Sequence, residues 1–312
     1  MALDPLVKGF LDQMKAAGGP KMSEIGAPAA REVFNQMMQA LGPKDVPVGK
    51  TENRTVPTAT GGVPIRVYTP VGGGRDLMPA LVYFHGGGWV IGNLETHDGL
   101  CRLMANEGNF RVIAVDYRLG PEHKYPAAYD DAMAALSWVA ANAADIGVDA
   151  NRIAVGGDSA GGALAAICAQ QAKAKGIPLD AQMLLFPVTQ IGEITGSLKE
   201  FAVGYFLEKE TLDWFYESYL PAGADKSDPR ISPLRAKDLS GLPPAYIMLG
   251  GFDPLHDEGM QYADKLRAAG VPVTVADHSD MVHCFVYLQA ILPQAHEALA
   301  AAAKAVAKMF SA

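Results

Sequence analysis

Arg152-Ile153-Ala154-Val155-Gly156 runs directly into Gly157-Asp158-Ser159-Ala160-Gly161. The first five residues read as a short buried strand. The next five read as a G-x-S-x-G turn that opens a helix. Glycine flanks the Asp-Ser-Ala tip because so tight a turn has no room for a side chain there. The turn lifts Ser159 to its tip and faces it toward the positive end of the following helix. An ordinary strand-to-helix turn could carry the same letters in a chain with 33 glycines. The surrounding sequence decides between the two.

Short apolar runs recur at Leu81–Phe84, Val112–Val115, Ile153–Val155, Met183–Phe186, Tyr246–Leu249 and Val271–Val275. Helical stretches such as Ala127–Ala141 and Gly162–Ala174 lie between them. Strands and helices alternating in this way predict an α/β fold, with a parallel sheet covered on both faces. Ile65-Arg66-Val67-Tyr68 alternates like a further strand. Before it, Leu6, Val7, Phe10, Leu11 and Met14 share one helical face, and Val33, Phe34, Met37, Met38 and Leu41 share another. Residues 195–220 break the rhythm with seven aromatics and read as an inserted helical piece. The alanine-rich stretch from Gln289 to Phe310 reads as a scaffold helix.

With 312 residues, 49% of them apolar, the chain can bury one large core. Its 26 basic and 34 acidic residues leave a net charge of −8, with no basic block. Nucleic acid and anionic membranes are therefore poor partners. No apolar stretch approaches the roughly 20 residues that span a bilayer, and the first residues lack a signal-peptide layout. Cys101, Cys168 and Cys284 form no paired framework and no C-x-x-C. A reduced, cytoplasmic protein is the expectation.

Acyl transfer by a serine needs a base, a group that orients the base, and donors for the oxyanion. His85-Gly86-Gly87-Gly88-Trp89 follows a strand, and its three glycines leave backbone N–H groups uncovered. One such donor is worth about 3 kcal/mol of barrier in acyl transfer. The rival reading, a phosphate loop, lacks the Gly-Lys-Ser/Thr ending and the G-x-G-x-x-G spacing. The N–H of Ala160, next after the serine, is a further donor. Asp253 follows the strand at Tyr246–Leu249, where carboxylates face the same crevice as the serine turn. Asp257 and Glu258 compete with it, but they fall in a first helical turn, where acids suit the dipole. His283 stands after the last strand and completes the order Ser…Asp…His; His278 and His256 are its rivals. No H-E-x-x-H or other metal-ligand cluster is present.

These motifs, spread from about residue 60 to the end, resemble the hormone-sensitive-lipase-like (bacterial family IV) esterases of the α/β-hydrolase superfamily. The matching pieces are His85–Trp89 with His97, Asp116-Tyr117-Arg118-Leu119-Gly120-Pro121-Glu122 and Gly157–Gly162. Ser232-Pro233-Leu234, Leu242-Pro243-Pro244, Asp253–Gly259, and His283 with Phe285 complete the set. The aspartate before the serine resembles the GDSAG branch. The resemblance implies eight strands, mostly parallel with the second antiparallel. It implies a helical cap formed by residues 1–50 together with an insertion at about 195–220, over a catalytic domain spanning 51–312. It also implies Ser159 as nucleophile, His283 as base and Asp253 as its partner. The oxyanion hole would come from two of Gly86, Gly87 and Gly88, with Ala160. Hydrolysis of short- to medium-chain acyl esters, without a cofactor or metal, is the implied activity. The same triad would serve a lactone, amide, carbamate or thioester. A non-catalytic receptor on this fold is the remaining alternative, and the retained His283 argues against it. Many members pair as dimers, so the resemblance allows a homodimer. Two positions depart from the pattern: Cys284 stands where glycine is usual, and Gly120 where alanine is usual.

Overall fold

A computed structural model of the chain describes residues 2–310 apart from Arg75. Two helices come first, α1 (Pro5–Ala17) and α2 (Met22–Leu41), then β1 (Lys50–Val56), β2 (Val63–Thr69) and β3 (Met78–Phe84). The alternating part runs α3 (Asp98–Gly108), β4 (Arg111–Val115), α4 (Ala127–Ala141), β5 (Val148–Asp158), α5 (Ala160–Lys175) and β6 (Ala181–Leu185). Two inserted helices follow, α6 (Gly196–Glu200) and α7 (Lys209–Tyr219). The chain closes with β7 (Ala245–Phe252), α8 (His256–Ala268), β8 (Val273–Val282) and α9 (Pro293–Met309).

The strands form one eight-stranded sheet in the order β1-β2-β4-β3-β5-β6-β7-β8. β2 pairs antiparallel with both β1 and β4, and every other pairing is parallel. The expected α/β architecture, with its antiparallel second strand, is the observed one. The continuous apolar runs have the cause inferred from them. Along β3, Ala80, Val82 and Phe84 enter the buried cluster shared with α4, α5 and α8. Leu81 and Tyr83 enter the cluster on the opposite face, shared with α3 and α9. Alternate side chains are thus buried on alternate faces. Phe34 and Met38 of α2 belong to the second cluster, so the N-terminal helix packs onto the body through a common core.

Two boundaries and one strand differ from expectation. The last strand runs on to Val282, which delivers His283 directly from a strand end. The C-terminal helix begins at Pro293, not Gln289, because the fixed φ of proline suits the first helical turn. β1 carried no apolar signal: its residues, Lys-Thr-Glu-Asn-Arg-Thr-Val, are exposed or half-buried except the last.

Candidate active site

Ser159 links the end of β5 to the start of α5 and holds φ 54° and ψ −116°. That conformation costs a non-glycine residue about 1–3 kcal/mol and persists only where the surroundings enforce it. Here they do. The Ser159 N–H donates to the Leu185 carbonyl at 2.8 Å, and its own carbonyl accepts from Ala163 and Val188, each at 3.1 Å. The flanking glycines are sterically required. A Cβ on Gly157 would run into the Gly161 carbonyl, and one on Gly161 into the Phe84 carbonyl.

The structure brings three of the expected residues together. His283 Nε2 lies 3.0 Å from Ser159 Oγ. His283 Nδ1 lies 2.7 Å from Asp253 Oδ2. The other Asp253 oxygen accepts from the Leu255 N–H at 2.8 Å, so the carboxylate cannot swing away. All three residues are buried. Burial works against the charged imidazole, but the Asp253 carboxylate outweighs it and raises His283 above its ordinary value. The rivals lie elsewhere. His278 packs its ring on Phe285, and His256 bonds Asp277. Asp257 accepts from the Ser197 N–H, and Glu258 from the Thr189 and Gln190 N–H groups.

The glycine loop divides. The Gly86 N–H donates to Asp158 Oδ1 at 3.1 Å and is already committed. Gly87 and Gly88, with φ 114° and 60°, have N–H groups that reach no acceptor among the described residues. The same holds for the Ala160 N–H at the α5 N-terminus. Of the four candidate donors, three are therefore unspent, and Gly86 serves the scaffold instead.

The scaffold group it serves was missed in the sequence. Asp158 is fully buried beside the serine and gathers Tyr83 OH at 2.7 Å, Tyr287 OH, and His97 Nε2 at 3.4 Å. Burial alone would raise its pKa, but the charge of His97 and the bonds from His97, Tyr287 and Tyr83 hold it at about 2. The serine motif advertises an acid at this position. Its partners, from β3, the start of α3 and the segment before α9, leave no local signal.

Above Ser159 lies a cavity of about 170 Å³ with an apolar lining. Met14, Val33 and Met37 supply one wall from α1 and α2; Phe206, Leu212 and Tyr216 supply another from the insert. Met38, expected on the same face, instead lines a separate recess beside Asp45 and Asp98. Among the described residues no cluster of metal-ligating side chains occurs.

A strained serine at a strand end, relayed through histidine to a buried acid and flanked by unspent N–H donors, has the architecture of a serine hydrolase. Residues 81–287 match the family model described as the alpha/beta hydrolase fold. The chain is 42% identical to a carboxylic ester hydrolase, LipN, of Mycobacterium tuberculosis over 92% of this chain and 77% of that one. It is 37% identical to an ethyl acetate hydrolase of Pseudomonas putida over 96% of each. It superposes on the ester hydrolase EH1AB1 from the Lake Arreo metagenome with a TM-score of 0.96, at 41% identity, covering 99% of this chain and 100% of that one. The chain belongs to the α/β-hydrolase family, in its hormone-sensitive-lipase-like branch.

Proposed function

We propose that the protein is a serine carboxylesterase acting on short acyl esters, with Ser159, His283 and Asp253 as its triad. The observation that carries this reading is the relay itself: Ser159 Oγ to His283 at 3.0 Å and His283 to Asp253 at 2.7 Å. Around it stand the free N–H groups of Gly87, Gly88 and Ala160. His283 Nε2 takes the serine proton as Oγ attacks the ester carbonyl carbon. The carbonyl oxygen becomes an oxyanion, held by those N–H groups. Asp253 fixes the imidazole tautomer and stabilises the imidazolium. The tetrahedral intermediate collapses, the C–O bond to the alcohol breaks, and His283 gives the alcohol its proton. Water then loses a proton to His283 and attacks the acyl carbon; the bond to Oγ breaks, the acid leaves, and His283 returns the proton to Ser159 Oγ.

The short-chain preference rests on space. The cavity of about 170 Å³ is smaller than the range, from about 300 Å³, that holds drug-sized ligands. Helices α1 and α2 with the α6–α7 segment would serve as the cap over it. A reducing, cytoplasmic setting suits the three buried free cysteines. No helix among the described residues is long and apolar enough to cross a membrane.

The test is hydrolysis of p-nitrophenyl esters from acetate to decanoate, with Ser159→Ala alongside. Turnover should peak at the short chains and fall to background in the variant. A folded wild type inert toward acetate and butyrate would sink the proposal. So would a variant that kept its rate.

A further inference from the structure

Helix α7 separates two spaces. On one side lies the catalytic cavity, and on the other a recess of about 430 Å³ open to solvent. The recess carries Lys124, Asp213, Glu217 and Lys226, so it is polar where the cavity is apolar. Among the described residues one side chain lines both, Tyr216. Tyr216 also shares with Leu212, one turn earlier, the wall between the cavity and a hollow of about 20 Å³ beside Glu258.

We propose that Tyr216 sets the size of ester the enzyme accepts, by closing the catalytic cavity off from the polar recess behind α7. This rests on the ester-hydrolase reading above and deepens it. The ring, rather than the hydroxyl, does the closing. The phenol makes no hydrogen bond to a described residue, so removing it strands no buried partner.

The wall is fixed because its helix is pinned at several points. Phe215 lies so close over Gly88 that a Cβ there would enter its ring. Tyr219 stacks on Trp89 with ring centres 4.4 Å apart and planes 9° apart. At the helix end, Lys124 Nζ donates to the Glu217 and Leu220 carbonyls at 2.5 and 2.9 Å, and the Tyr125 N–H to the Tyr219 carbonyl at 2.8 Å. A helix held in this way cannot retreat to admit a longer chain. The Tyr216 ring is therefore a fixed limit, and shortening it joins the two spaces.

The experiment compares wild type with Tyr216→Ala, Tyr216→Leu and Tyr216→Phe on two ester series. One varies the acyl chain of p-nitrophenyl esters from butyrate to decanoate. The other varies the alcohol of simple acetates from ethyl to octyl, followed by acid release. The readout is the ratio of kcat/KM for long over short substrates. That ratio should rise about tenfold or more in the alanine variant, in whichever series points at α7, and less in the leucine variant. The phenylalanine variant should keep the wild-type ratio. A purely structural role would lower activity on all esters alike and leave both ratios unmoved. Should the alanine variant fail to fold, the leucine variant carries the comparison. Unchanged ratios in both series, from folded variants, overturn the proposal. A wild type inactive on every ester overturns the esterase reading instead.

Discussion

Glu258 shows how one residue can mimic a catalytic acid and be something else. It sits five residues after Asp253, is buried, and accepts from the Thr189 N–H at 2.7 Å. Burial outweighs those N–H bonds and pushes its pKa up to about 8. An acid whose folded value lies above its unfolded value of about 4.5 binds its proton more tightly when folded. Its contribution to stability is present below about pH 4.5 and is lost as pH rises through about 8. Glu258→Gln keeps an acceptor for the Thr189 N–H and cannot ionise. We expect this variant to melt progressively above wild type as pH rises across that window, by several degrees at the top. Melting curves of the two proteins at a series of pH values decide it, and parallel trends would refute the assignment. Cys284 is a quieter case. It holds φ 52°, a left-handed conformation that explains why glycine suits the position, and burial pushes its thiol up and away from reactivity.

At the scale of elements, the central device is the bond between two loops. Asp158 ends β5 one residue before the serine, and its Oδ1 accepts from Gly86, which opens the glycine loop after β3. Ser159 and the free N–H groups of the glycine loop are thereby held in one frame, with the Tyr83 and Tyr287 hydroxyls completing the grip. Asp158→Asn keeps the shape but loses the charge that orients those donors. We expect kcat to fall by about tenfold to a hundredfold while KM moves by less than about threefold, the pattern of an interaction realised in the transition state. Equal losses in binding and turnover would make Asp158 a folding residue only. The two loops were legible in the sequence because each carries its own glycine signature. The bond between them was not, since nothing local ties residue 86 to residue 158. The same contrast holds for strands. β3, β4 and β5 stood out as apolar runs because both their faces are buried. β1 did not, because it is an edge strand whose polar residues meet water. Pairing with β2 in register, from Lys50 opposite Thr69 to Val56 opposite Val63, defines it instead.

On the scale of the whole molecule, the question is what seats the N-terminal helices over the site. Their amphipathic faces were readable from periodicity, but the joint that docks them was not, because it joins residues from 59 to 91 positions apart. Arg31 of α2 donates through Nε to the Val90 carbonyl at 2.8 Å and through Nη2 to the Gly120 carbonyl at 2.9 Å. It also grips both oxygens of Glu122, at 2.9 and 2.6 Å. Val90 lies just beyond the glycine loop, so this one side chain ties α2 to the frame that holds that loop. A second tie, Lys21 to Glu210, is exposed on both sides and contributes little in water. Arg31→Ala should cost about 1–2 kcal/mol of stability, most of it from the carbonyl bonds rather than the half-exposed ion pair. It should also raise KM by about threefold to tenfold with a smaller change in kcat, because Val33 and Met37 form a wall of the cavity. Arg31→Lys should not restore it, since a single ammonium cannot span two carbonyls and a carboxylate with the planar fork of a guanidinium. Lys21→Ala, by contrast, should stay within about twofold of wild type in both constants. Steady-state kinetics of the three variants on a short ester decide the matter. A lysine variant with wild-type KM would show that charge alone, and not the forked geometry, seats the helix.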